Sequence, residues 1–293
     1  DYSSIMLKAL ADRFARAMAR ELRAVGVSLD FAPVLDVHTN AANPVIGDRA
    51  FGAAPELVGE MGSATIGGLQ DNMVVACGKH FPGHGDTATD SHKELPVVDA
   101  GLQRLRDTEF PPFQQAIRYG VASLMTAHVL YRALDPEAPA TLSSAVIQRL
   151  LREEFRYEGV VFTDDLEMHA IIDHDGIGEA AVRSFVAGCD VLLICKDQDR
   201  VMTAMQAMER AVKDGRVTQE RLDQSLARVA KLKARYLHPY KPVTISDARL
   251  VVGCRSHKVL LDSWHKAYAR IPKPTLVERG QAAPAHDSPV THV

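Results

Sequence analysis

Aromatic side chains make up only 6% of the 293 residues, and the single tryptophan, Trp264, lies near the C-terminal end. A ligand bound earlier in the chain is thus expected to be gripped by hydrogen bonds more than by stacking platforms. Cysteine is equally sparse: Cys77, Cys189, Cys195 and Cys254 form no CxxC pair and lie in or beside apolar segments. This argues against a disulfide scaffold or a thiolate zinc site, and it predicts buried free thiols in a reducing compartment, the cytoplasm. Neither charge sign dominates, with 34 Lys+Arg against 37 Asp+Glu for a net charge of -3. Without a long basic block, no nucleic-acid or membrane partner is expected. Apolar runs such as 191–195 and 160–162 fall far short of the roughly 18 residues of a membrane helix. An initiator Met and a charged-then-apolar leader are also missing from the first residues. The natural N-terminus is therefore expected upstream of Asp1, leaving room for a removed signal.

What is present is an ordinary globular composition, 46% hydrophobic and 24% charged, enough for one large core or two small ones. Helical spacing of apolar residues predicts a helix over 5–25, with Ser3 or Ser4 as N-cap and Gly26 as its stop. Further helices are expected at 59–69, 102–119 with an interruption at Pro111-Pro112, 143–155, 178–187, 201–212 and 219–236. Short apolar runs predict strands at 27–35, 73–77, 121–126, 160–163 and 191–195, with one more hidden near 44–46. Alternating strands and helices, the strands apolar throughout, indicate an α/β fold with a parallel sheet covered on both faces. Asp36, Lys79-His80, His128, Asp164-Asp165 and Lys196-Asp197 each follow a strand, which favours a barrel with one catalytic face over an open sheet. Beyond Pro239 the chain becomes proline-rich. Residues 1–240 are read as the barrel domain and 241–293 as an extension, with a short helix near 257–268 and a disordered tail from about Gly280.

Two stretches can carry chemistry. Lys79-His80-Phe81-Pro82-Gly83-His84-Gly85-Asp86, continuing to Asp90-Ser91-His92, collects three imidazoles, two carboxylates and an ammonium within fourteen residues. Three readings stand. His80, His84 and His92 could ligate a metal, although Pro82-Gly83 forbids the i, i+4 spacing of zincins. The histidines could merely cap and brace the backbone. Or Asp90 could orient His92 as a proton donor and acceptor near neutral pH. The second stretch, Gly159 to Met168, is a buried strand ending in Asp164 and Asp165, which must point to opposite sides. Asp164 is placed at the strand mouth, while Asp165 and Glu167 read as helix-start acids. A mouth carboxylate facing an imidazole on another loop is what a retaining glycosidase requires. Arg49, in the turn-bounded loop 47–52, is either a brace or a ligand-holding cation, and His128 reads as a satisfied core histidine.

Taken together, 79–85, 90–92 and 162–168, with 30–37 and 125–129, resemble the bacterial β-N-acetylhexosaminidases of glycoside hydrolase family 3, in particular the single-domain form that recycles peptidoglycan. The resemblance runs from about Ser3 to about Tyr236. It implies a (β/α)8 TIM-type barrel that lacks its first strand or strands in this chain, since only about five strands are read and the rest are expected upstream. It further implies removal of terminal β-linked N-acetylglucosamine with retention. Asp164 matches the nucleophile, His92 the acid/base and Asp90 its polarising partner, while Arg49, Lys79 and His80 match groups that hold the sugar. No cofactor and no metal are implied, and the expected partner is a small N-acetylglucosamine-containing carbohydrate derived from peptidoglycan, the substrate of a monomeric enzyme. The family's sugar-binding Asp and Arg on an early strand have no counterpart in this sequence. Two other readings are kept: a non-catalytic carbohydrate-binding barrel, and a metal-dependent hydrolase centred on the histidine loop.

Overall fold

Small residues let the first two helices meet backbone to backbone. The computed structural model describes residues 2–43, 45–89 and 94–268, beginning with α1 (Tyr2–Ala24), so that Ser3 and Ser4 lie within its first turn and do not precede it. Strand β1 (Leu29–Asp30) and helix α2 (Pro55–Gln70) follow. A Cβ at Gly68 of α2 would stand 2.6 Å from Ala15 Cβ and 2.7 Å from the Asp12 carbonyl of α1, closer than real side chains pack.

The chain continues through β2 (Val75–Phe81), β3 (Val97–Val98), α3 (Leu102–Asp107), α4 (Phe110–Tyr119), β4 (Ser123–Thr126) and β5 (Leu130–Tyr131). The helical segment 102–119 breaks at Thr108-Glu109, earlier than Pro111-Pro112. Those prolines sit in the first turn of α4, where a missing N–H costs nothing. A helix of π pitch (Ala145–Glu154) leads to β6 (Val160–Asp165), α5 (His169–Ala187), β7 (Val191–Leu193), α6 (Gln198–Lys213) and α7 (Gln219–Leu237). Helix α5 starts earlier than its apolar pattern suggests because it runs through a kink at Gly176. Two further helices, α8 (Ile245–Val251) and α9 (Arg255–Tyr268), close the described chain.

Among the described residues the main sheet has five parallel strands in the order β1-β2-β4-β6-β7. This is a half-barrel of TIM type. The small parallel pair β3 and β5 was not legible in the sequence. The strand expected near 44–46 is not there: Val45 and Ile46 lie in a bend that enters a 3-10 turn (Gly47–Arg49), and Pro44 lies outside the described residues. The strand expected over 27–35 shrinks to β1 with an isolated bridge from Val34 to Lys79, since Pro33 in between has no N–H to donate.

Alternation along the strands sorts the core onto two faces. Val161, Leu124 and Ala76 pack outward with Ile147, Leu150 and Phe113 under the helices. Val160, Phe162, Met125 and Cys77 face the concave side, where Phe31 and, from α7, Val229 and Leu232 cover them. Phe31 and Phe162 meet edge-on at 5.5 Å. Of the four thiols only Cys77 and Cys189 are buried; Cys195 is exposed and Cys254 half-buried. The prediction of four buried thiols fails because residues 195 and 254 lie past the ends of β7 and α8, where the chain has left the core.

Candidate active site

The concave-face alternation of Cys77 and Phe162 continues upward to Lys79 and Asp164, at the C-terminal mouth of β2 and β6. Burial works to raise the Asp164 carboxyl, but His80 and His128, the Asp165 N–H and Lys79 outweigh it and hold the group below the usual aspartate range. The Asp165 N–H donates to Asp164 Oδ1 at 2.9 Å. Asp164 is therefore a partly desolvated carboxylate that stays ionised at neutral pH. Burial lowers the Lys79 ammonium, helped by the neighbouring Arg49, and Asp164 and Asp30 only partly restore it. Asp30 itself is raised by burial and eased by Lys79.

Beneath this surface a second carboxylate sets the loop. Asp36 is fully buried; its Oδ1 accepts the backbone N–H of His80 at 3.0 Å and of His84 at 2.7 Å, and its Oδ2 lies 2.8 Å from His80 Nδ1. An acceptor-only carboxylate fixes the proton on His80 Nδ1 and leaves Nε2 as the ring's other edge. Burial would raise Asp36, yet His80, His84 and these hydrogen bonds carry it below the ordinary value. Farther along, Asn43 Nδ2 donates to the carbonyls of His84 (2.9 Å) and Gly85 (3.2 Å). The Tyr131 hydroxyl donates to the Gly83 carbonyl at 2.7 Å. His84 is buried, with Nδ1 2.8 Å from the Thr87 hydroxyl, and burial with the nearby His80 pushes it down to about 4. The loop is thus anchored from His80 to Thr87.

His128 is fully buried, its Nε2 2.9 Å from the Asp165 carbonyl and Nδ1 2.7 Å from the Thr141 hydroxyl. Burial lowers its pKa, so the neutral ring donates from Nε2, since a carbonyl only accepts, and takes the Thr141 proton at Nδ1. Asp165 accepts the Glu167 N–H at 3.1 Å and so braces its own loop. Glu167, expected to start a helix, lies ahead of α5 and receives the backbone N–H groups of Lys196 (2.6 Å) and Asp197 (3.3 Å). It clips the loop after β6 to the loop after β7.

The structure therefore brings Lys79, His80 and Asp164 together, with Arg49 beside Lys79 on an exposed turn, its Nη1 donating to the Val45 carbonyl at 3.1 Å. Asp90 and His92 lie outside the described residues. Sequence reasoning assigned no role to Asp36, whose partners come from a segment 44 and 48 residues away. Its position at a strand end was the available signal. Among the described residues no group of three or more His, Cys, Asp and Glu side chains is arranged to hold a metal ion, and no helix is long and apolar enough to cross a membrane.

A parallel half-barrel with its polar side chains at the C-terminal strand ends defines a TIM-barrel-like α/β protein whose candidate site lies at that face. Residues 3–232 match the glycosyl hydrolase family 3 N-terminal domain, and the chain belongs to this family. It is similar to β-hexosaminidase A of Pseudoalteromonas piscicida, 35% identical over 268 residues that cover 85% of this chain and 44% of the relative. The β-hexosaminidase of Nitrosomonas eutropha is 38% identical over 226 residues, 76% of this chain and 64% of its own length. Among solved structures, a family 3 β-N-acetylglucosaminidase from Paenibacillus superimposes with a TM-score of 0.76 at 44% identity, covering 84% of this chain and 50% of that one. The chain thus spans about half to two thirds of these relatives.

Proposed function

We propose that this chain carries the catalytic face of a retaining β-N-acetylhexosaminidase. In this reading Asp164 attacks the anomeric carbon of a terminal N-acetylglucosamine residue while His92, held by Asp90, gives its proton to the departing glycosidic oxygen. The glycosyl group is then esterified to Asp164. His92, now neutral, takes a proton from water; the hydroxide oxygen bonds to the anomeric carbon, and the Asp164 ester bond breaks. An imidazole in this role avoids the like-charge repulsion that a second carboxylate would create beside Asp164. Lys79, His80 and Arg49 hold sugar hydroxyls. The substrates are small fragments derived from peptidoglycan, handled in the cytoplasm by a monomer with neither metal nor cofactor.

The observation that carries this reading is the state of Asp164: half-buried, ionised, and held in that state by His80, His128 and Lys79 at the mouth of β6. The test is chromophore release from an aryl β-N-acetylglucosaminide by the full chain. Asp164→Asn should lower the rate by roughly three orders of magnitude or more, with an unchanged circular dichroism spectrum. A fluorinated slow substrate should add its glycosyl mass to the peptide containing Asp164. Release that survives in Asp164→Asn, or that a chelator abolishes, would overturn it in favour of a metal-dependent hydrolase. Sugar binding without release would favour a carbohydrate-binding barrel.

A further inference from the structure

At the opposite end of the sheet from Asp164 lies a cavity of about 270 Å³. It opens where the chain enters β4 and β6, under the C-terminal half of α7, and none of the residues discussed above as sugar-holding reaches it. Arg156, Arg228, Lys231 and Arg235 line it, against a single lining carboxylate, Glu158. Arg228 is partly committed, its Nη1 lying 3.0 Å from Asp190, a buried carboxylate already shared with Arg152 at 2.7 Å and Arg221 at 3.6 Å. One anion among three guanidiniums leaves this end of the barrel with surplus positive charge. Among the described residues no carboxylate pairs with Arg156, Lys231 or Arg235. Arg235 instead lies over the Tyr236 ring at 5.1 Å.

The independent sign of a ligand is Tyr236. Its side chain is 2% exposed, it lines the same cavity, and its hydroxyl is buried without a hydrogen-bond partner. A buried orphan hydroxyl is costly unless something fills the space and accepts its proton. Burial raises its pKa against the pull of Arg235, so the hydroxyl keeps that proton. Complementing the negative end of the α7 dipole would account for Arg235, in its last turn, but not for Lys231, for Arg156 on another element or for the Tyr236 hydroxyl.

We propose that this cavity binds a phosphomonoester, a compact dianion attached to an apolar or aromatic body. Four cationic side chains and one hydroxyl donor offer more than the two oxygens of a carboxylate can accept, and they suit the three terminal oxygens and double charge of a phosphate group. The remaining wall, including Ile117, Val121 and Leu232, gives the organic body an apolar seat. A free inorganic phosphate would leave that seat empty.

Calorimetric titration of the full chain with phenyl phosphate and, separately, with inorganic phosphate at low salt tests the assignment. Phenyl phosphate should bind saturably and several-fold more tightly than inorganic phosphate. Tyr236→Phe should weaken it about tenfold, the effect of losing one hydrogen bond to a charged acceptor, while leaving the thermal midpoint unchanged or raised. The exposed pair Lys231→Gln/Arg235→Gln should abolish binding. Saturable binding of phenyl phosphate that none of these substitutions weakens would overturn the proposal, as would no binding at low millimolar concentration. Equal affinity for inorganic phosphate would also overturn it, because the apolar wall would then contribute nothing.

Discussion

Asp36 receives two backbone N–H groups and the ring N–H of His80 while sealed from solvent, so the loop keeps its shape only while this carboxylate stays ionised. Replacing it with Asn leaves buried donors poorly matched and should cost about 3–5 kcal/mol, read as a lower denaturant midpoint. The sign of its pH dependence follows from the depressed folded pKa. Its contribution is complete above the ordinary aspartate value near 4 and is lost as pH falls below that toward the folded value. The acid limb of a stability profile should therefore be shallower in Asp36→Asn than in the parent chain. His84 acts higher on the scale. With its folded pKa pushed down to about 4, the unfolded chain takes up a proton first as pH falls below about 6.5. Stability should drop between there and pH 4 by about 3 kcal/mol, and His84→Gln should remove this slope. Lys79 and Asp164 could be placed in advance because strand alternation is a local rule. Asp36 and Glu167 could not, because each acts on backbone donors from a distant segment, at 80 and 84 for one and at 196 and 197 for the other.

Among the elements, the loop after β2 is held against the segment after β1 by a contact that leaves no room for a side chain. A Cβ on Gly85 would lie 1.7 Å from the Val37 carbonyl oxygen. Gly85→Ala should therefore lower the thermal midpoint by several degrees and reduce sugar release at the same time, since it forces apart the two segments that carry Asp36 and His80. The join between α7 and the sheet is electrostatic as well as apolar. Asp190 bonds to the Val161 N–H at 3.0 Å, the Ser225 hydroxyl at 2.6 Å and the Arg152 and Arg228 guanidiniums. Asp190→Asn leaves clustered cations without their shared anion and should destabilise the chain by about 3–5 kcal/mol in chemical denaturation. Most helices and all five main strands were legible as periodic apolar runs. What escaped was short or set by single residues: the two-residue strands β3 and β5, the seven-residue helix α8, Pro33 truncating β1, Gly176 letting α5 continue through a kink, and the turn that replaces a strand at 45–49.

At the scale of the whole molecule, the last described helix lies against the first. His257 Nδ1 stands 2.6 Å from Glu21 Oε1, the Gly253 N–H donates to the same oxygen at 2.9 Å, and Trp264 meets Phe14 at 6.3 Å. Glu21 and His257 are separated by 236 positions. A contact spanning so long a loop can form only after the intervening sheet has brought its ends together. Trp264 is the chain's single tryptophan and is 39% exposed, so its emission reports the seating of α9 on α1 and says little of the barrel interior. In a denaturant titration the fluorescence midpoint should precede that of far-ultraviolet circular dichroism, because a half-exposed terminal helix opens before the sheet. Coincident midpoints would mean that α9 unfolds together with the barrel. The intrinsic dye of this protein is thus a sensor of its seam, and an experimenter following tryptophan light alone would be timing the last latch to close and the first to open.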